Sequence, residues 1–155
     1  MPPRLAGTLA CLFSLAVLGA VYYAQDVMHL APCPLCLWER WPYRIAAALG
    51  LATLAVPRAG RFLLSMAALV MLGGAAIAFV HVGVEHGWWR SPLPECNAFL
   101  TPGAPLALIP AIPCDRPVYL IAALPVSMAL MDFCTALAFA CVLFAYVSSR
   151  KGAMR

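Results

Sequence analysis

Two long stretches without a charged side chain constrain this sequence more than any other feature. Leu5–Gln25 contains 21 uncharged residues and Phe62–Val84 contains 23. A helix of roughly 20 apolar residues crosses the hydrocarbon layer of a bilayer. Because 65% of the 155 residues are hydrophobic and only 10% are charged, a soluble globular domain and a disordered chain are both excluded. The sequence therefore predicts an integral membrane protein.

Two further spans complete the predicted fold, a single all-α domain over residues 1–155 that forms a four-transmembrane-helix bundle. Six spans would leave almost no residues for loops. The four spans are predicted at approximately residues 5–24, 37–56, 62–84 and 128–148. The second contains Glu39, Arg40 and Arg44, and the fourth contains Asp132. Charge inside a membrane is costly, which makes Arg40, Arg44 and Asp132 functional candidates. For Arg44 and Asp132 the alternative is that the side chain reaches the membrane surface from a helix end.

Basic residues gather on one side of this four-span arrangement. Six of the ten Lys and Arg residues lie there, namely Arg4, Arg58, Arg61, Arg150, Lys151 and Arg155. All six acidic residues lie on or toward the opposite side. The positive-inside rule then places both termini in the cytoplasm and the loops at approximately 25–36 and 85–117 in the periplasm. We expect the first span to be retained rather than cleaved as a signal peptide. The net charge of +4 is too small and scattered to indicate nucleic-acid binding.

The second periplasmic loop is rich in proline. Seven of the chain's fourteen prolines lie between Pro92 and Pro117, which excludes a regular helix or central strand there. The middle of the loop, Phe99–Ile112, is nevertheless apolar. We therefore expect this segment to lie at the membrane interface rather than to extend into water.

The seven cysteines separate into two groups on this topology. Three lie in apolar helical stretches and are interpreted as small hydrophobic residues: Cys11, Cys134 and Cys141. The other four lie in the periplasmic loops, where disulfides persist. Cys33 and Cys36 have the Cys-x-x-Cys spacing typical of disulfides that exchange. Cys96 and Cys114 enclose 17 residues, and a structural cross-link of that size stabilises by about 3 kcal/mol. Zinc held by all four thiolates is the disfavoured alternative, and no metal is predicted.

The residues after the Cys-x-x-Cys pair indicate redox chemistry at the membrane boundary. Pro34 suits the first turn of a helix, so Cys36, Arg40 and Arg44 lie along nearly one face. The helix N-terminus and Arg40 would stabilise a Cys36 thiolate, whereas Glu39 would oppose it. Arg40 could also donate hydrogen bonds to the carbonyl oxygen of a lipid-soluble electron acceptor. The alternative role for Arg40 is anchoring at the membrane interface.

The string from Pro32 to Arg40, Pro-Cys-Pro-Leu-Cys-Leu-Trp-Glu-Arg, resembles the signature of the DsbB family of bacterial inner-membrane thiol oxidases. The resemblance extends over the whole chain, with four spans, an early Cys-x-x-Cys and a second pair in the loop before the fourth span. In relatives of vitamin K epoxide reductase the two pairs occur in the opposite order. The stretch Leu124–Met128, and Asp132 and Cys134, depart from the entry to span four expected for the family.

The resemblance implies a route for electrons. A DsbA-like periplasmic thioredoxin-fold protein would form a mixed disulfide with Cys96, after which Cys114 would exchange with Cys33. The released Cys36 would pass electrons to ubiquinone or menaquinone, so the activity is that of a protein-disulfide:quinone oxidoreductase. The residues expected to bind the quinone are Arg40, Glu39 and His86. Glu85-His86 looks like a Glu-His pair of some family members, and His81 is the alternative histidine.

Three rival functions stay open at this level. One is a paralogue that serves a dedicated thiol-oxidase partner. Another is a non-catalytic four-helix membrane subunit whose loop disulfides are structural, although such a protein does not need a Cys-x-x-Cys four residues before an arginine. The third is a quinone-binding electron carrier, which would have no use for Cys96 and Cys114.

Overall fold

The computed structural model of the protein describes residues 1–96, 113–120 and 126–149, and it is all-helical there. Its four long helices are α1 (Pro3–Asp26), α2 (Pro34–Ala55), α3 (Gly60–Glu85) and α4 (Met128–Ser149). A single 3₁₀ turn, Pro57–Ala59, joins α2 to α3. The connection is so short that α2 and α3 must run antiparallel. The predicted interfacial segment 99–112 and the basic residues 150, 151 and 155 lie outside the described residues.

Consecutive helices pack side by side, as expected for an up-and-down bundle, with α1 on α2, α2 on α3 and α3 on α4. The bundle closes where the rings of Phe13 on α1 and Phe139 on α4 lie 4.7 Å apart. Small residues dominate the core, and Leu64 and Met71 of α3 are its largest fully buried apolar side chains. Apolar surface gives helices in lipid little drive to associate, so small residues that permit close packing fit this setting.

The closest helix crossings rely on glycine. A Cβ on Gly50 of α2 would lie only 2.7 Å from the carbonyl oxygen of Gly7 on α1. On the other side of α2, a Cβ on Gly74 of α3 would lie 2.8 Å from the Pro42 ring. Pro42 interrupts α2 internally, and Gly74 accommodates its ring. These contacts bring α2 close to both neighbouring helices.

Three of the four helices are long and apolar enough to cross a membrane. The remaining one, α2, has 22 residues and is roughly 33 Å long, but Glu39, Arg40 and Arg44 lower its apolar character. Large hydrophobic side chains cover the outside of the bundle, among them Leu12, Leu51, Phe62, Leu69 and Val142. Such a surface is unsuited to water. The protein is therefore an integral membrane protein with a helical bundle fold, as the sequence predicts.

Candidate active site

The start of α2 holds the Cys-x-x-Cys pair. Pro34 is the first helical residue and Cys33 is the N-cap. The Sγ atom of Cys33 accepts a hydrogen bond from the backbone N–H of Cys36, at 3.2 Å. The two sulfur atoms lie 2.6 Å apart. A small movement of either side chain would bring them to the bonding distance of about 2.05 Å, so the local backbone holds the pair ready to close.

The helix N-terminus acts on Cys33 rather than on Cys36, where the sequence analysis placed its effect. A hydrogen bond from the Cys36 thiol is the main cause that lowers the pKa of the Cys33 thiol, and burial opposes it. The backbone N–H of Cys36 adds to the lowering. An amide N–H stabilises a thiolate because it points positive charge at the sulfur. Cys33 is therefore the favoured thiolate of the two in this conformation.

A buried histidine from α3 contacts the same cysteine. His81 Nε2 lies 3.6 Å from Cys33 Sγ. The other ring nitrogen, Nδ1, donates to the Glu39 carboxylate at 2.8 Å. His81 is 3% exposed and Glu39 is 8% exposed. The three side chains thus form one continuous hydrogen-bonded chain, sulfur to imidazole to carboxylate, shielded from solvent.

Arg40 points into the bundle one residue further along α2. Its Nη2 donates to Gln25 Oε1 at 2.8 Å, and its guanidinium carbon lies 5.0 Å from the centre of the Tyr22 ring. Arg40 is 5% exposed, and its buried Nε has no hydrogen-bond partner among the described residues. A buried donor without a partner costs free energy, so Arg40 offers a donor for a ligand.

Arg44, one turn later, has a different position. It is exposed, its Nη2 donates to the Tyr22 hydroxyl at 2.6 Å, and its guanidinium packs on the Trp41 ring. The structure therefore favours surface anchoring for Arg44, the alternative that the sequence left open.

The second cysteine pair is joined in a disulfide between Cys96 and Cys114, with the Cα atoms 5.2 Å apart. Both residues are buried, and they belong to one apolar cluster with Cys33, Leu35 and Val84, against which Cys36 packs. The fold thus brings together two cysteine pairs that are about 60 residues apart in the sequence.

A cavity lies between the four helices, next to the Cys33–Cys36 pair, His81 and Arg40. It is lined by Cys33, Cys36, Glu39, Arg40, Tyr43, His81, Glu85 and Asp132, with apolar walls from Val17, Leu18, Val21, Val118 and Ala129. A pocket with mostly apolar walls and a few convergent polar groups suits a small lipophilic ligand. The unpartnered Nε of Arg40 suits a ligand with an acceptor oxygen, such as the carbonyl oxygen of a quinone.

Asp132 of α4 lines this cavity and is tied to α2. The Tyr43 hydroxyl donates to Asp132 Oδ1 at 2.8 Å, whereas the buried Oδ2 has no partner among the described residues. Nearby, the Ser127 hydroxyl donates to Glu85 Oε2 at 2.6 Å and accepts the N–H of Leu130 at the start of α4. These bonds fix the entry of α4, which the departures from the family pattern had obscured.

The two histidines at the outer end of α3 have separate positions. His86 is exposed, its Nδ1 bonds the carbonyl of Val82 and its ring lies 5.4 Å from that of Trp88. It does not line the cavity, whereas His81 does.

Tyr43 also lines the cavity and was not predicted from the sequence. A signal was present, because Cys36, Glu39 and Tyr43 are spaced at i, i+3 and i+7, which places the three on one helix face.

Comparison with known proteins adds a finding at the level of the family. A family model described as "Disulfide bond formation protein DsbB" matches residues 3–147, nearly the whole chain. No solved structure gives a significant match.

Individual relatives match over shorter segments. "Disulfide bond formation protein B" of Dechloromonas aromatica is 34% identical over 99 residues, which is 62% of this chain and 54% of the relative. The protein of the same name from Herminiimonas arsenicoxydans is 33% identical over 75 residues, 48% of each chain. "Uncharacterized protein RP370" of Rickettsia prowazekii is 30% identical over 74 residues, 48% of this chain and 43% of the relative. The matches thus span about half the length of these relatives.

Proposed function

This chain belongs to the family of disulfide bond formation protein DsbB, and we propose that it is an inner-membrane oxidoreductase that reoxidises a periplasmic DsbA-like thioredoxin-fold protein. The electrons pass through the two cysteine pairs to a membrane quinone, ubiquinone or menaquinone. The observation that carries the proposal is the buried cluster that contains both pairs. Exchange between two disulfides needs sulfur atoms that can approach one another, and this packing supplies that condition.

The partner enters at the Cys96–Cys114 disulfide. A thiolate of the reduced partner attacks the sulfur of Cys96, which forms a mixed disulfide and releases Cys114 as a thiolate. Cys96 is 7% exposed and Cys114 is 1% exposed. Cys96 is thus the more exposed of two buried residues, which favours it as the point of attack and leaves Cys114 for the next exchange.

The second exchange joins the two pairs. The Cys114 thiolate attacks Cys33 in the oxidised Cys33–Cys36 pair, which forms a bond between Cys33 and Cys114 and releases Cys36 as a thiolate. The second thiolate of the partner then attacks the mixed disulfide and releases Cys96 as a thiolate. Cys96 attacks Cys114, which restores the Cys96–Cys114 bond, breaks the bond between Cys33 and Cys114 and leaves Cys33 and Cys36 as a dithiol. The buried apolar surroundings exclude water and small thiols that would compete.

A quinone in the cavity would accept two electrons and two protons from that dithiol. The chain's own part is to bind and orient the ring. Arg40 would donate a hydrogen bond to a carbonyl oxygen of the quinone and would stabilise negative charge there. The apolar residues of α1 would contact the ring, and Gln25 and Tyr22 hold the guanidinium in place.

The orientation in the membrane follows from charge. Arg58 lies in the turn between α2 and α3 and Arg61 in the first turn of α3, at the end of the bundle opposite to Cys33 and His81. The positive-inside rule places that end, and both termini, in the cytoplasm and the cysteine pairs in the periplasm.

A trapping experiment tests the proposal. A periplasmic thioredoxin-fold oxidase that lacks its resolving cysteine should form a stable mixed disulfide with this protein, mapped to Cys96 by peptide mass spectrometry. Cys134, an exposed cysteine of α4, is the internal control and should not react. Failure to capture the partner when the Cys96–Cys114 bond is intact would refute the entry step.

A single substitution tests the exit step. Cys36→Ser should abolish quinone reduction, because no thiol remains to pair with Cys33, while the helical bundle stays folded. Quinone-coupled oxidation of the partner that persists in this variant would contradict the proposed route and favour a structural role for the disulfides.

A further inference from the structure

A hydrogen-bonded chain of three side chains, from Cys33 through His81 to Glu39, is not accounted for by electron transfer alone. The imidazole stands between a thiol and a carboxylate, with one ring nitrogen on each. Because the Glu39 carboxylate accepts the proton on Nδ1, the other nitrogen, Nε2, presents a lone pair to Cys33 Sγ. This is the arrangement by which a histidine activates a nucleophile and a carboxylate orients the histidine.

We propose that His81 is the catalytic base for Cys33 and that Glu39 positions His81. The proposal rests on the proposed function, since it concerns the step in which the Cys33–Cys36 pair is oxidised. Glu39 thereby acts through His81 rather than directly on the quinone, and the histidine of α3 that serves the site is His81 rather than His86.

The proton transfer balances without a further reactant. The S–H bond of Cys33 breaks, its proton moves to Nε2 of neutral His81, and Cys33 becomes a thiolate. The imidazolium is then paired with the Glu39 carboxylate. When Cys33 and Cys36 close into a disulfide, two electrons and both thiol protons go to the quinone acceptor, and the proton of Cys33 passes by way of His81.

The groups around His81 stabilise the imidazolium that forms when the ring accepts the Cys33 proton. Acidic side chains from three helices line the cavity with His81. Among the described residues, the basic side chains that line it are Arg40 and Arg116. The titratable and charged residues that line the cavity with it are Cys33, Cys36, Glu39, Arg40, Tyr43, Glu85, Arg116 and Asp132. The guanidinium of Arg40 is engaged by Gln25 and Tyr22, whereas the Glu39 carboxylate is bonded directly to the imidazole. A buried imidazolium needs such a partner.

The test follows the reactivity of Cys33 with pH, in the absence of quinone and partner protein. In a Cys36→Ser background, the rate of Cys33 alkylation by iodoacetamide is measured by peptide mass spectrometry between pH 5 and 10, with a chelator present to remove metal ions. Only the thiolate reacts. We expect His81→Gln to slow the reaction about tenfold at pH 7 and to move the midpoint of the profile upward by about one unit, the size of effect that a neighbouring charge produces.

Two further variants test the role of Glu39 and the specificity of the His81 effect. Glu39→Gln keeps the side-chain shape but removes the carboxylate charge, and it should shift the profile in the same direction. His29→Asn is the matched control, because His29 is exposed in the first loop with a φ of 55°, a conformation that Asn tolerates, and its profile should match the parent. A His81→Gln profile that superimposes on the parent profile would overturn the proposal.

A measurement on the unsubstituted chain tests the proposal even where these variants misfold. In the unsubstituted chain, oxidation of the Cys33–Cys36 pair to its disulfide should change the pH at which the ring signals of His81 titrate in an NMR spectrum, because the Cys33 thiol that shares a proton with Nε2 is then lost. An unchanged titration would also overturn the proposal. Failure of the proposed function has a different signature, since quinone reduction would then be absent while the alkylation profiles still differ as expected.

Discussion

Replacing Arg40 by lysine separates the positive charge at the cavity from the hydrogen bonds that a guanidinium makes. Lysine keeps the charge but presents it as a single point on a flexible stem. One ammonium group cannot reach Gln25 Oε1, which Nη2 reaches at 2.8 Å, and also supply the donor that the unpartnered Nε offers to the cavity. The substitution therefore removes one hydrogen bond between a charged donor and the ligand.

The magnitude follows from that loss. A hydrogen bond to a charged group contributes about 1.5–3 kcal/mol, and its lower bound corresponds to about a tenfold change in affinity. We expect Arg40→Lys to raise the KM for a short-chain ubiquinone analogue about tenfold in detergent solution, with the reduced partner protein in excess. Arg40→Ala, which also removes the charge, should have a larger effect.

The assay has a built-in control. Arg44 lies one turn away on the same helix, but its guanidinium is exposed and bonded to the Tyr22 hydroxyl. Arg44→Lys should leave the KM within about twofold. Equal KM values for the parent and Arg40→Lys would refute the assignment of Arg40 to the quinone. Equal increases of the KM in the two variants would show a loss common to both guanidinium groups and not one specific to Arg40.

Two further predictions concern the packing that holds the site together. Gly50→Ala should destabilise the bundle by about 1–3 kcal/mol, because its Cβ would press on the backbone of α1. The loss is measured as a lower midpoint of thermal unfolding in detergent. Gly19→Ala, with open space around it, should not lower the midpoint. Tyr43→Phe should lower the free energy of unfolding by about 1–3 kcal/mol, since it leaves the Asp132 carboxylate without the donor that now bonds Oδ1. Tyr23→Phe, at an exposed site, should leave the midpoint of thermal unfolding unchanged. Equal midpoints for the two variants would contradict the reasoning.

The charged residues of α2 show how a helix with low apolar character fits into a membrane bundle. Glu39 is buried against His81, and Arg40 is buried against Gln25, so neither meets lipid. Charges inside a membrane protein commonly face the bundle interior and pair there, at sites that carry function. The features that weaken α2 as a membrane span are thus the ones that form the cavity wall.

Much of the fold was determined by the local sequence. Charge-free stretches of about 20 residues identify membrane helices because the cost of placing charge in hydrocarbon acts on each residue separately. Pro34 set the start of α2, and the Cys-x-x-Cys spacing set the sulfur pair at its N-terminus. These features depend on neighbours within one helical turn, so the sequence alone suffices to predict them.

Only the tertiary structure decided which distant groups meet. The sequence offered two histidines at the outer end of α3, and the rotation of that helix buries His81 while it leaves His86 exposed. Packing of α2 on α3 also places Glu39 on the imidazole of His81, a contact that the sequence did not predict. Likewise, the two cysteine pairs share one cluster because Cys96 and Cys114 pack against Leu35 of α2 and Val84 of α3. Such contacts depend on helix rotation and loop path, which many weak long-range interactions set together and which no local pattern encodes.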